Sequence, residues 1–176
     1  MLQIDFSGIR IFYTDILRQH DTGMILIGTE VNFLHMIPPQ QKSFLSLGRC
    51  TSECTSKVNF INLKMLQFSC EFEFDFDCNK SQWVTFVFQG IRKEGIHLVN
   101  GVLHSHLAAR KMRIRQFRNG KELPIIMEDN HYDFNFQSSR QPRAENGGHI
   151  LPGDELFVEC DYDTFDRKQP TFGGKS

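Results

Sequence analysis

The stretch KMRIRQFRNGKELPII, residues 111–126, holds two short alternating runs separated by the dipeptide Asn119-Gly120. Asn-Gly between alternating apolar and polar residues is the strongest short-range signal for a two-residue β-hairpin turn. Helix signals are scarce along the chain. Similar short runs, interrupted by Gly, Pro or Asn, occur at 23–39, 95–107, 129–137 and 149–164. The pattern predicts an all-β fold, an antiparallel β-sandwich of jelly-roll type.

The length and charge of the chain limit its class. A chain of 176 residues is long enough for one domain with a substantial core. Its net charge of −1 gives no argument for nucleic acid or an anionic membrane as a partner. The basic run RKMRIRQFRNGK (110–121) alternates with apolar residues and is interpreted as the solvated face of a strand. No stretch approaches the roughly 18–20 continuous apolar residues that a membrane-spanning helix needs.

The triplet His104-Ser105-His106 is the sharpest candidate for chemistry. Residues i and i+2 of an extended strand point to the same face, so both imidazoles can reach one metal ion. A pair of imidazoles suits copper, zinc, iron or nickel and does not select among them. Seven histidines in 176 residues give about 0.3 such triplets by chance, so composition also explains the motif. Three other histidines, His35, His97 and His131, are interpreted as packed structural residues.

The chain has five cysteines, an odd number that leaves at least one without a partner within it. Cys50 and Cys54 have a spacing that could suggest zinc, but no second pair lies at zinc-site spacing, so disulfide halves are favoured. Residues 58–92 differ in composition from their surroundings. Within them, CEFEFDFDC (70–78) alternates strictly. It predicts either an edge hairpin closed by a Cys70–Cys78 disulfide or sequence foreign to the domain.

Several motifs occur together in a fixed order. They are GIRIFYT (8–14), GRCTSEC (48–54), LHSHLAARKMRIRQFRNGKELPII (103–126), DNHYDFNFQ (129–137) and LPGDELFVECDYDTFDR (151–167). In this order they resemble the copper type II, ascorbate-dependent monooxygenases, the family of dopamine β-hydroxylase and the DBH-like monooxygenases. The resemblance implies one domain over residues 5–174, interrupted by an irregular insertion at about 58–92.

The resemblance implies the C-terminal catalytic domain of such an enzyme. In that domain an H-x-H motif and a methionine bind the copper at which O₂ reacts, and the H-x-H motif falls on His104 and His106. The resemblance further implies ascorbate as the reductant and hydroxylation of a C–H bond in a small molecule, with a phenethylamine-like substrate as the expectation. A separate N-terminal copper domain is the implied partner.

The chain also departs from the family pattern. The family's methionine ligand lies beyond Ser176, and Met112 and Met127 do not match its position. The resemblance therefore implies a C-terminally truncated fragment that is inactive by itself. The partners that it implies for Cys50, Cys54 and Cys160 also lie beyond the end of the chain.

Two further expectations complete the hypothesis. The alternative function is a catalytically inactive β-sandwich binding module or pseudoenzyme. The family implies the secretory pathway, meaning the lumen of the endoplasmic reticulum or of vesicles, attachment to the endoplasmic reticulum membrane, or secretion. The opening residues MLQIDFSGIR nevertheless lack the pattern of a signal peptide.

Overall fold

The computed structural model describes residues 8, 10–16, 25–29, 35–56, 66–70, 93–143 and 148–173. These residues form β-strands and one short helix, and none of their helices is long and apolar enough to cross a membrane. In chain order the elements are β1 (Ile25–Thr29), β2 (Met36–Ile37), β3 (Phe44–Cys50), α1 (Ser52–Ser56), β4 (Leu66–Cys70), β5 (Ile96–His97), β6 (Gly101–Val102), β7 (Ala109–Arg118), β8 (Lys121–Glu122), β9 (Met127–Asp129), β10 (Ser139–Arg140), β11 (His149–Ile150), β12 (Glu155–Tyr162) and β13 (Thr171–Phe172).

Strand β12 is the centre of the largest sheet. It lies between β3 and β7 and runs antiparallel to both, while β7 also pairs with β8 and β9. Asn119 and Gly120 have φ angles of 52° and 74°. A two-residue type I′ turn needs positive φ at both positions, so the hairpin predicted from Asn-Gly is confirmed.

The core lies against this sheet. Leu156 of β12 and Ile150 of β11 are fully buried, and Ile126, just before β9, is 2% exposed. Burial alternates along β3, where Ser46, Gly48 and Cys50 point inward, as expected for a strand with one solvated face. The prediction of an all-β fold with antiparallel sheets is confirmed. Among the described strands, the pair β1 and β4 is the parallel exception.

The opposite face of the sheet carries ion pairs. Glu159 is 4% exposed, and its carboxylate accepts hydrogen bonds from Arg113 and Arg115. Arg115 also binds Glu122 of β8, with 2.7 Å between Nε and Oε1. A buried carboxylate needs such partners, because an isolated charge loses its hydration. Arg113 and Arg115 of the 110–121 run therefore neutralise acids of the same sheet.

Two stretches expected to form strands are interrupted or absent. Residues 95–107 contain only the two-residue strands β5 and β6, whereas the described residues of 23–39 form β1 and β2. For residues 129–137 the prediction of a strand is wrong. There the Asp133 carboxylate accepts a hydrogen bond from the Asn135 N–H at 2.9 Å, and the Asp133 carbonyl accepts one from the Phe136 N–H. Such local bonds favour a turn over a β-ladder.

Asp154 joins the β7 hairpin to the turn before β12. Its carboxylate is 1% exposed and accepts hydrogen bonds from Gln116 Nε2 at 2.6 Å, from the Leu151 N–H at 2.7 Å and from Arg118. The Thr55 hydroxyl of α1 donates to the Asp154 carbonyl at 2.8 Å. Burial by itself raises the pKa of Asp154, but the hydrogen bonds, led by that from Arg118, outweigh burial and lower it.

Replacement of Asp154 by Asn tests this junction. A carboxylate whose pKa is lowered in the folded state stabilises the fold fully above its unfolded pKa of about 3.9. That contribution is lost as the pH falls through the lower folded pKa. We expect Asp154→Asn to reduce the free energy of unfolding by roughly 1–3 kcal/mol at neutral pH. Urea denaturation should show the deficit shrinking below about pH 4.

Asp166→Asn is the control for this experiment, because Asp166 is exposed after the end of β12. The free energy of unfolding of Asp166→Asn should match that of the parent protein both at neutral pH and below about pH 4. If Asp154→Asn lowers the free energy of unfolding equally at neutral and at acidic pH, the stabilising role of the Asp154 carboxylate is contradicted.

Candidate metal centre

The two histidines of the H-x-H triplet lie in an extended segment between β6 and β7 rather than inside a regular strand. Exposure alternates along the triplet, with His104 exposed, Ser105 buried and His106 exposed. The two imidazole rings come together, with centroids 5.2 Å apart and planes at 87°. The segment thus keeps the geometry expected of positions i and i+2, although it lacks a β-ladder.

Ser105 is held inward by two tyrosines. The Tyr132 hydroxyl accepts a hydrogen bond from the Ser105 N–H at 2.8 Å and donates to the Ser105 carbonyl at 2.7 Å. The Tyr162 hydroxyl lies 3.0 Å from Ser105 Oγ. All three residues are at most 8% exposed. Because Ser105 is fixed toward the interior, its two neighbours must point the other way.

Hydrogen bonds also hold the backbone that follows the triplet. Ala108 has a φ of 85°, a left-handed conformation that costs about 1–3 kcal/mol in a residue other than glycine. Its carbonyl accepts a hydrogen bond from the Asp163 N–H at 2.8 Å, and the Ala109 N–H donates to the His106 carbonyl at 3.3 Å. These contacts coincide with a register shift at Asp161/Tyr162, where β12 pairs with β7. The irregular backbone at Ala108 therefore helps to set the direction of the His104–His106 segment.

The two imidazoles open onto a cavity. His104, His106, Leu107, Phe134 and Gln137 line a cavity of about 220 Å³. Gln137 Oε1 lies 2.6 Å from His104 Nδ1. Burial raises the pKa of the nearby hydroxyls of Tyr132 and Tyr162, which therefore stay protonated at neutral pH.

The donor set fits copper. Neutral imidazole nitrogens are good copper ligands, and typical metal–nitrogen distances are about 2.0–2.1 Å. Two rings whose centroids are 5.2 Å apart can each direct a nitrogen at one ion. Among the described residues no group of three or more His, Cys, Asp or Glu is placed to hold a metal, so a closed zinc site is not formed there.

Three of the other histidines that the structure describes have structural contacts. His35 Nε2 lies 3.1 Å from Ser46 Oγ, and burial lowers the pKa of His35. His97 and His149 face each other across β5 and β11, with ring centroids 4.1 Å apart and planes at 7°. His131 is exposed in the turn after β9, so its interpretation as a packed residue is wrong. None of these four rings lines the cavity beside His104.

The cysteines occupy separate places. Cys160 of β12 is not in a disulfide, and burial raises the pKa of its thiol to about 11 despite the hydrogen bond with Tyr162. Such a thiol is inert at neutral pH. Cys50 is buried at the end of β3, Cys54 lies in α1 and Cys70 ends β4. Cys78 lies outside the described residues, and with it the predicted Cys70–Cys78 disulfide.

Comparison with known proteins identifies the family. The family model for the C-terminal domain of the copper type II ascorbate-dependent monooxygenases matches residues 65–176. The chain belongs to this family. Copper and ascorbate are named in the family's description, which confirms the expected cofactor and reductant.

Individual relatives agree with this assignment. DBH-like monooxygenase protein 1 of Homo sapiens is 39% identical over 173 residues, which are 98% of this chain and 23% of that protein. The protein of the same name from Gallus gallus is 38% identical over 173 residues, again 98% and 23%. Dopamine beta-hydroxylase of Bos taurus is 32% identical over 170 residues, 97% and 22%. The chain spans less than a quarter of the length of each of these relatives.

The sequence singled out the two histidines as candidates but not the residues that orient them. Tyr132 lies 27 residues from Ser105 and Tyr162 lies 57 residues from it. Gln137 is 33 residues from His104. Tyr132 and Gln137 fall in the motif DNHYDFNFQ, which carried the resemblance but gave no sign of which side chains point toward the triplet.

Replacement of Tyr132 by Phe tests the anchor of the triplet. The change leaves the buried N–H and carbonyl of Ser105 without their shared partner, which should cost about 1–3 kcal/mol of unfolding free energy. The Ser105 amide should also exchange its hydrogen faster. Tyr13→Phe is the control, because Tyr13 is 94% exposed and its change should leave both quantities unaltered. Unaltered stability and exchange in Tyr132→Phe would show that the hydroxyl is not the anchor.

Proposed function

We propose that His104 and His106 are two ligands of the copper at which O₂ reacts, in the catalytic domain of a monooxygenase that hydroxylates C–H bonds. The observation that carries the proposal is the placement of both imidazoles on the wall of one cavity, 5.2 Å apart. Membership in the copper type II ascorbate-dependent family supports copper over the other metals that imidazole pairs bind.

The residues of this chain have defined tasks in the proposed reaction. Copper, when bound, supplies the activation of O₂ with electrons that come from ascorbate. His104 and His106 hold the ion, and the buried Ser105 keeps their two rings on one side. Leu107 and Phe134 give the cavity apolar walls.

A small, aromatic substrate of the phenethylamine type is consistent with this cavity. Phe134 is 38% exposed and lines the cavity, so its ring is available to an aromatic ligand. One relative bears the name dopamine beta-hydroxylase, which supports the same substrate class. Following the family expectation, we also propose that the protein acts in the secretory pathway.

The proposed site needs further groups. Met112 and Met127 are both 4% exposed in the core, and neither lines the cavity, so they are not proposed as the third ligand. The methionine expected for the family, and an N-terminal copper domain as partner, belong to the proposed complete enzyme. We therefore propose that residues 1–176 bind copper without turning over substrate. Hydroxylation by this chain alone at the rate of a complete enzyme would contradict this.

Anaerobic competition against a chromophoric Cu(I) chelator tests the ligand assignment. We expect the protein to bind one Cu(I), and His104→Ala or His106→Ala to weaken binding by about 100-fold or more. That loss is at or above the roughly 10–100-fold range typical of removing a supporting contact. His131→Ala is the matched control, because His131 is exposed and lies outside the cavity.

The same titration distinguishes the proposal from the alternative of an inactive binding module. Cu(I) affinity that does not change in His104→Ala and His106→Ala, or that falls equally in His131→Ala, would contradict the proposed site.

A further inference from the structure

The side-chain amide of Gln137 has only one orientation that satisfies both of its contacts. Its Nε2 lies 2.8 Å from the carbonyl oxygen of Phe134. A carbonyl oxygen can only accept a hydrogen bond, so the amide nitrogen must be the group that faces it. The amide oxygen Oε1 then faces His104 Nδ1 at 2.6 Å.

The orientation of the amide determines the tautomer of His104. Oε1 cannot donate a hydrogen bond, so the proton between it and His104 must reside on Nδ1. A neutral imidazole with its proton on Nδ1 carries its lone pair on Nε2. We infer that Gln137 is a positioning residue that holds His104 in the Nδ1–H tautomer and thereby selects Nε2 as the metal-binding nitrogen.

The residues before and after Gln137 in the sequence both make contacts that fix its position. Before it, the Asp133 carbonyl accepts a hydrogen bond from the Phe136 N–H at 3.0 Å, and the Asp133 carboxylate accepts one from the Asn135 N–H. This turn places the Phe134 carbonyl. After it, Ser139 of β10 pairs with Val102 of β6, the strand that leads into the triplet. Gln137 is thus attached through β10 to the same backbone that carries His104.

Selection of one nitrogen matters because the two tautomers offer their lone pairs on different sides of the ring. Metal-binding histidines commonly donate their second ring N–H to a carbonyl, carboxylate or water, which fixes the tautomer and the ring orientation. Without an acceptor at Nδ1, the ring is free to rotate and to adopt the Nε2–H tautomer that free histidine prefers. The proton would then occupy the nitrogen proposed to bind copper.

Two-bond ¹H–¹⁵N correlation spectra of the metal-free, ¹⁵N-labelled protein test the inference directly. They should be recorded near pH 9, where imidazole side chains are ordinarily neutral. The parent protein should show His104 as Nδ1–H. Gln137→Leu should move it toward Nε2–H, whereas Gln137→Glu keeps an acceptor and should retain Nδ1–H.

The control for the spectra is Gln41→Leu. Gln41 is another exposed glutamine whose Nε2 donates to a backbone carbonyl, that of Pro39 at 3.2 Å, and it does not line the cavity. Its replacement should leave the His104 signals unchanged. An Nε2–H tautomer in the parent protein, or an unchanged tautomer in Gln137→Leu, would overturn the inference.

Copper binding tests the consequence, which rests on the proposed function. Cu(I) affinity should fall about 10-fold in Gln137→Leu and should stay within about threefold of the parent in Gln137→Glu. If Gln137→Leu changes the tautomer while His104→Ala leaves Cu(I) affinity unchanged, the tautomer assignment stands and the proposed copper site fails. If His104→Ala abolishes binding while Gln137→Leu changes neither tautomer nor affinity, the copper site stands and the role of Gln137 fails.

Discussion

The pair of hydrogen bonds between the Tyr132 hydroxyl and the backbone of Ser105 is the constraint on which the candidate metal centre depends. The triplet lies outside any β-ladder, so the buried peptide groups of Ser105 need another partner. One phenol satisfies the N–H and the carbonyl together. The Tyr132 N–H in turn donates to the Arg110 carbonyl at 2.8 Å, which connects the anchor to the start of β7.

The central sheet makes this anchor rigid. Tyr162, the second hydroxyl beside Ser105, ends β12, and β12 is paired on both sides by β3 and β7. Just before the other end of β12, the Asp154 carboxylate connects β7 to the turn that precedes β12. Because Tyr162 belongs to this paired strand, its contact with Ser105 varies less in position than a contact made from a free loop, which suits the proposed copper site.

Local signals in the sequence predicted the parts of the fold that depend on local chemistry. Asn119-Gly120 gave the hairpin because positive φ at two successive positions is a demand that few residue pairs meet. The turn before β12 makes a similar conformational demand, since Gly153 has a φ of 90°. The alternation of apolar and polar residues wrongly predicted a strand at 129–137. There the side chain and the carbonyl of Asp133 accept hydrogen bonds that hold a turn.

The candidate site was predictable only in its outline. The spacing of His104 and His106 indicated a shared face, but an imidazole pair does not select its metal, and copper came from the family resemblance. The partners that orient the pair, Tyr132, Tyr162 and Gln137, are far from the triplet in sequence. A single sequence contains no signal that side chains so distant will meet, because the fold alone brings them together.

The most direct test of the central claim is a crystal structure of the copper-loaded protein, with anomalous diffraction recorded at the copper edge. The account predicts one copper peak in the cavity, bonded to nitrogens of both His104 and His106, with Ser105 still hydrogen-bonded to Tyr132. Rings that point to opposite sides of the backbone, or copper bound elsewhere such as at the stacked His97 and His149, would contradict it.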